Sequence, residues 1–228
     1  MTQPQTAQPQ TQSESQGDKP GFPGLLDPNV VLARHVEDLA TRFTGMVGRE
    51  TVERMVFESY AALGRTAKVK AHLPVLTCRF ATERLTALAQ AKRVLAKEAT
   101  EVLFICVQNA GRSQIAAAMV EHLSQGRVHV RSAGSMPADE VDPVVLEVLE
   151  ARGMKATDAF PKPLTDDVVQ AADVVITMGC GDACPVYPGK RYLDWDVTDP
   201  AGQPPATVEA IAADIETRVR GLLAELGA

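Results

Sequence analysis

Val102-Leu-Phe-Ile-Cys106-Val-Gln-Asn-Ala-Gly-Arg112-Ser113 decides the fold. Its first five residues are a short, continuously apolar run, the signature of a strand buried on both faces. The following residues read as a tight loop, and a helix is expected from about 112 to 125. Beyond it come a strand from Val128, a helix over about 143–153, a buried strand over about 172–178 and a last helix over about 208–226. Strands alternating with helices imply a parallel sheet covered on both faces, so residues 99–228 are expected to form an α/β domain.

Upstream the period changes. Asp27-Pro28 is a good N-cap and first-turn pair, Leu32, Val36, Leu39 and Phe43 follow at helical spacing, and Gly48 is a plausible stop. Val52, Val56, Tyr60 and Leu63 mark a second helix ending near Gly64. Leu76, Phe80, Leu85 and Leu88 mark a third that starts around Pro74. Residues 25–98 are therefore expected to form a small all-α three-helix bundle. Residues 1–24 begin with Gln, Pro, Ser and Thr and have little to bury, so a disordered tail is expected there.

Composition narrows the function. The chain has 228 residues, 45% of them hydrophobic, and a net charge of −6, which gives no general affinity for nucleic acid or anionic membranes. No apolar run approaches the roughly 18 residues needed to span a bilayer, and no signal pattern opens the chain, so a cytoplasmic location is expected. The helical region carries 12 Lys and Arg against 8 Asp and Glu over 21–98, a net of +4, whereas 99–228 carries −9. Mixed charge without a recognition-helix pattern marks a solvated face rather than a nucleic-acid surface. Dimerisation, or docking onto the α/β half, is the plainer expectation for the bundle.

The loop at Cys106 has chemistry built into its position. The first N–H groups of a helix lack intrahelical acceptors, and the helix dipole adds positive potential there. A loop curling into that terminus offers donors to one oxyanion, from Val107, Gln108, Asn109, Ala110, Gly111, Arg112 and Ser113. Arg112 supplies a bidentate clamp. Asn109 and Gly111 tolerate the dihedrals of a tight cradle. The same field favours a thiolate, which makes Cys106 a candidate nucleophile, with Ser113 as a further donor to its sulfur. The bland alternative is a buried core cysteine beside a turn. A second Cys-x5-Arg, from Cys78 to Arg84, lies inside a helical pattern without loop or glycine and reads as packing and surface charge.

Other residues fall at useful places. Asp199-Pro200 follows the last strand region, where a loop Asp serves either as general acid or base or simply as a turn. Cys180 and Cys184 follow the strand ending at Met178, and such positions gather at the edge where Cys106 also lies. Four cysteines are too few for a secreted disulfide scaffold of this length. His35, His72, His122 and His129 lack ligand spacing and read as structural or surface, so no metal site is expected.

Cys106-x2-Asn109-x2-Arg112-Ser113, Ser132-Ala-Gly134 and Asp199-Pro200 together resemble the low-molecular-weight tyrosine phosphatase superfamily, and within it the arsenate reductases, over about residues 100–228. The resemblance implies a four-stranded parallel sheet in the order 2-1-3-4, flanked by helices. It implies Cys106 as nucleophile, Arg112 as clamp and Asp199 as proton carrier. Phosphatases of this group usually have a cysteine where this chain has Gly111, and adjacent tyrosines where it has Val197 and Thr198, with Trp195 a little earlier. Reductases need later thiols, which Cys180 and Cys184 supply. The bundle resembles a helical domain found fused to such enzymes.

The resemblance therefore implies reduction of arsenate to arsenite, hence arsenic detoxification. A second thiol, from Cys180, Cys184 or a small molecule, resolves a Cys106 adduct. Phosphate is expected to compete. No bound cofactor is expected, and the reductant is external: thioredoxin, or a low-molecular-weight thiol with a glutaredoxin-like partner. A phosphatase acting through a phosphocysteine and an oxyanion- or redox-sensing module are the alternatives.

Overall fold

The computed structural model describes residues 27–156, 159–179 and 184–228. The expected tail over 1–24 and Cys180 lie outside the described residues. Three helices open the described chain: α1 (Pro28–Arg42), α2 (Arg49–Gly64) and α3 (Leu73–Ala91), the last preceded by a 3-10 turn over Lys70–His72. Asp27 caps α1, its side chain accepting from the Asn29 N–H. Gly48 does not stop this helix, contrary to expectation. The α1 helix ends at Arg42, Gly45 turns the chain with a φ of +78°, and Gly48 is the N-cap of α2. Leu32, Val36, Leu39 and Phe43 pack with Val52, Met55, Val56, Ala81 and Leu85 into one apolar cluster between the three helices.

The rest of the chain alternates: β1 (Thr100–Cys106), α4 (Arg112–Ser124), β2 (Val128–Gly134), α5 (Pro143–Ala151), α6 (Asp166–Ala171), β3 (Val174–Thr177), β4 (Arg191–Asp194) and α7 (Pro205–Leu226). The four strands are parallel and ordered β2-β1-β3-β4, as the resemblance implied. Periodicity alone marks neither α6 nor β4. The first is six residues long, and the second, Arg-Tyr-Leu-Asp, has exposed charged ends on an edge strand and no apolar run.

Strand pleating divides the core. Val102, Phe104 and Cys106 of β1 face a cluster built from α4, α5 and α7, including Ile115, Met119, Val145, Leu149, Ile211 and Ile215. Leu103 and Ile105 face the other way, against Val168 and Val169 of α6 and Ala87 of α3. Helix α3 thus belongs to two cores, filling the helical bundle and closing the second face of the sheet.

Polar contacts fasten that joint. Glu101 of β1 is 2% exposed and accepts from Gln90 of α3 at 2.6 Å and from Arg131 at 2.5 Å, with His129 Nδ1 at 2.6 Å. Burial opposes its ionisation, but the bonds and charges of His129, Arg131 and Gln90 outweigh that, holding the carboxyl below the usual carboxylate range. Arg84 of α3 corrects the reading of Cys78–Arg84 as packing and surface charge. Its side chain is 9% exposed and donates to Asp167 of α6 at 3.2 Å, to Ser59 at 3.2 Å and to Glu58 at 3.2 Å. An arginine on a helix face looks solvent-facing until the partner 83 positions away is known. Removing one member of a buried pair strands the other charge. Arg84→Ala is therefore expected to lower unfolding free energy by about 3 kcal/mol or more, read from the urea midpoint, while Arg54→Ala on the exposed face of α2 costs well under 1 kcal/mol.

Candidate active site

Cys106 ends β1 and Arg112 opens α4, so residues 107–111 form a strand-to-helix turn at the carboxyl edge of the sheet. The turn is held from outside through its carbonyls. Cys106 O accepts from Ser135 N, Val107 O from Met136 N, Gln108 O from Ala138 N, Ala110 O from Asp142 N and Gly111 O from Ile115 N, at 2.8–3.2 Å. Asn109 O accepts from the Gln114 side chain at 2.9 Å. Every carbonyl from 106 to 111 is thereby engaged, and the first N–H groups of α4 lack intrahelical acceptors. The loop and helix terminus have the polarity of an anion cradle.

Cys106 is 2% exposed. The Asn109 N–H donates to its sulfur at 3.2 Å, and the Ser113 hydroxyl lies 3.0 Å from it. Asn109 adopts a φ of +49°, as its residue type allows, and its Nδ2 donates to Ser113 at 2.8 Å. Gly111 has φ −133° and ψ −94°, an unusual pair as expected of the cradle, and it must also be small, because a Cβ there would come within 2.5 Å of Pro200 Cγ. The Asp-Pro loop is packed directly onto the cysteine loop.

Arg112 is 8% exposed, and its Nη2 donates to Asp199 Oδ2 at 2.7 Å, while Asp199 Oδ1 accepts from Ala201 N. Gly179, with a φ of +72°, sits against this guanidinium, where a Cβ would come within 2.8 Å of Nη1. One small cavity is lined by Cys106, Gln108, Ala110, Gly111, Arg112, Asp142, Asp199, Pro200 and Ala201. The structure thus brings together three of the five candidate catalytic residues, Cys106, Arg112 and Asp199. Of the candidate oxyanion donors, Gln108, Ala110, Gly111 and Arg112 line the cavity, whereas Asn109 and Ser113 are buried behind it and Val107 lies outside its lining. Cys184 does not line it either. It is half-buried, packed in the cluster of α6 and β3 that includes Leu164, Tyr187 and Tyr192. Trp195 is 8% exposed with its ring 5.5 Å from that of Phe104, in the core rather than at the cavity wall.

Two contributors, Gln114 and Lys162, carry no local sequence signal, and a third, Asp142, reads locally only as a helix cap. Gln114 bonds both Asn109 and Phe160 O, the Lys162 N–H donates to Asn109 Oδ1 at 2.8 Å, and Asp142 caps α5 while lining the cavity. Their partners lie up to 53 residues away. Among the described residues, none form a group of three or more His, Cys, Asp or Glu able to hold a metal ion, and no helix is long and apolar enough to cross a membrane.

The sequence profile described as low molecular weight phosphotyrosine protein phosphatase matches residues 101–228, the stretch that forms the sheet of order 2-1-3-4 and carries the cysteine loop. The chain belongs to that family. A second profile, described as protein-tyrosine-phosphatase-like N-terminal domain, matches residues 32–89. Among solved structures, the chain is similar to a thioredoxin-dependent arsenate reductase of Corynebacterium glutamicum, with 50% identity and a TM-score of 0.81 over 87% of this chain and 97% of that one. A Halobacterium salinarum protein provisionally named an arsenate reductase is 36% identical over 57% of this chain and 95% of its own length. A glutaredoxin arsenate reductase of Synechocystis is 28% identical over 55% of this chain and 98% of its own.

Proposed function

We propose that the protein reduces arsenate to arsenite with Cys106 as nucleophile, and so serves arsenic detoxification. The observation that carries this reading is the meeting of Cys106, Arg112 and Asp199 at one cavity, in a chain whose reductase relative matches both its helical and its α/β parts at 50% identity.

The chemistry follows from the placement. The Cys106 thiolate attacks arsenic, forming an S–As bond, and an oxygen leaves as water after taking a proton. Asp199, half-exposed yet bonded to Arg112, is positioned to carry that proton. The loop N–H groups and Arg112 hold the charge on the remaining oxygens. A second thiolate then attacks the Cys106 sulfur. The S–As bond breaks with its electron pair on arsenic, which leaves as arsenite, and a disulfide remains. We assign the second thiol to the segment bearing Cys180 and Cys184. Because Cys184 does not line the Cys106 cavity, its attack requires it to approach until the two sulfurs bond. An external thiol–disulfide protein of the thioredoxin or glutaredoxin type then restores the dithiol, thioredoxin being the partner named for the relative that covers both parts of the chain. Phosphate, of the same shape and charge, competes for the cradle.

Thiol counting by intact mass tests the reading. Incubating reduced protein with arsenate should remove two thiols and release one arsenite per chain, and phosphate should remove none. Absence of arsenite even with a complete thioredoxin or glutaredoxin system would refute it.

A further inference from the structure

We propose that helix α3 of the N-terminal bundle positions the hydrogen-bond donor of the Cys106 sulfur, through a clasp between Glu83 and Lys162. The proposal rests on Cys106 being the nucleophile and gives the helical bundle a part in the chemistry.

The clasp is read outward from the sulfur. Ser113 Oγ already accepts from Asn109 Nδ2 at 2.8 Å, so its own proton is left for Cys106 Sγ, 3.0 Å away. That polarity holds only while the Asn109 amide keeps its present orientation. Turned over, Asn109 would present an acceptor to Ser113, whose proton would then turn to Asn109 instead of the sulfur. Two donors fix the orientation by meeting Oδ1: the backbone N–H of Lys162 at 2.8 Å and the Gln114 side chain at 3.2 Å. A turned amide would set NH2 against N–H. The position of the Lys162 backbone, the closer of the two donors, therefore helps decide where the Ser113 proton points.

Lys162 belongs to a strap that hydrogen-bonds the sheet at Gly134: Gly134 N donates to Lys162 O at 2.8 Å, and Leu164 N to Gly134 O at 2.9 Å. A further hold on the strap comes from α3. Glu83 accepts from Lys162 Nζ at 2.8 Å, with the two side chains 31% and 13% exposed. The guanidinium of Arg79, one helical turn earlier, stacks 5.1 Å from the Phe160 ring, and Lys162 Nζ lies 5.3 Å from the same ring. Phe160 O accepts in turn from Gln114. A continuous series of contacts thus runs from a carboxylate on the bundle to the reactive sulfur. Glu83 and Lys162 are positioning residues, acting through Asn109 and Ser113.

The experiment is the alkylation of full-length protein by iodoacetamide, followed cysteine by cysteine by peptide mass spectrometry. Glu83→Ala and Glu83→Lys are each expected to slow Cys106 alkylation roughly three- to tenfold, the usual size of such indirect effects. Exchanging the charges, Glu83→Lys with Lys162→Glu, should restore at least half the wild-type rate. Both side chains line a groove of about 940 Å³ beside α3, so the exchange has room. Cys78, half-buried on the same helix, is the internal reference: loosening of the bundle would speed its alkylation, whereas a positioning role leaves it unchanged. Single variants within twofold of wild type, a charge exchange as slow as Glu83→Lys alone, or a Cys78 rate that rises as the Cys106 rate falls would each overturn the proposal. Alkylation needs no arsenate, so a failure of arsenate reduction and a failure of the clasp are read separately.

Discussion

Cys106→Ser is expected to yield a folded protein in which arsenate turnover falls by about four orders of magnitude or more. The oxygen takes nearly the place of the sulfur, at a position 2% exposed, and still accepts from the Asn109 N–H, so packing and the anion cradle survive. Lost is the chemistry peculiar to sulfur. An alcohol is scarcely ionised where a thiol is, and an oxygen bonded to arsenic cannot accept a thiolate to form a disulfide. The two-electron step has no route. Arsenite release with a regenerating thioredoxin or glutaredoxin system measures the loss, and phosphate binding by calorimetry shows that the cradle persists. Arsenite release close to wild type would remove Cys106 from the reaction and move the nucleophile to another thiol.

Gly134→Ala is the second large effect, and it comes from a residue that touches no substrate. Gly134 ends β2 beneath the cysteine loop. A Cβ there would meet Val107 O at 2.7 Å, Asn109 N at 2.9 Å and Asn109 Cβ at 3.0 Å. Two of the three are backbone atoms of the loop itself, and Asn109 is the residue whose N–H donates to the sulfur and whose side chain donates to Ser113. No side-chain rotation relieves the clash, so the loop must lift. A displacement of about 1 Å costs a reacting geometry about a hundredfold, whereas overpacking by one methyl costs the fold about 1–3 kcal/mol. Turnover is therefore expected to fall about a hundredfold in a protein that still melts cooperatively. Measuring kcat beside the denaturant midpoint separates the two effects, and an unchanged kcat would show that the loop does not bear on Gly134.

The parts legible in the sequence are those whose signal is local. The apolar run at 102–106, the Asn and Gly of the loop and the Arg-Ser opening a helix are neighbours, so their geometry follows from residue types alone. The order of the strands and the existence of β4 came from resemblance, because a short edge strand with charged ends has no period to read. Arg84 was misread because its burial depends on Asp167 in another element. Gln114 and Lys162 went unseen for the same reason. Each stabilises the loop through a backbone atom or a partner far along the chain, and a backbone N–H leaves no mark on the residue type that carries it. Gly134 stood in the motif, but the cause of its smallness needed coordinates.

The core contact between Trp195 and Phe104 has a practical use. The chain carries a single tryptophan, so its indole emission comes from one place. That place is the seam between the strand that ends two residues later at Cys106 and the segment that reaches Asp199 four residues later. The protein carries its own fluorophore at the junction of the proposed nucleophile and the proposed acid, and its intensity and wavelength are expected to change, without label or mutation, when that junction shifts during a turnover.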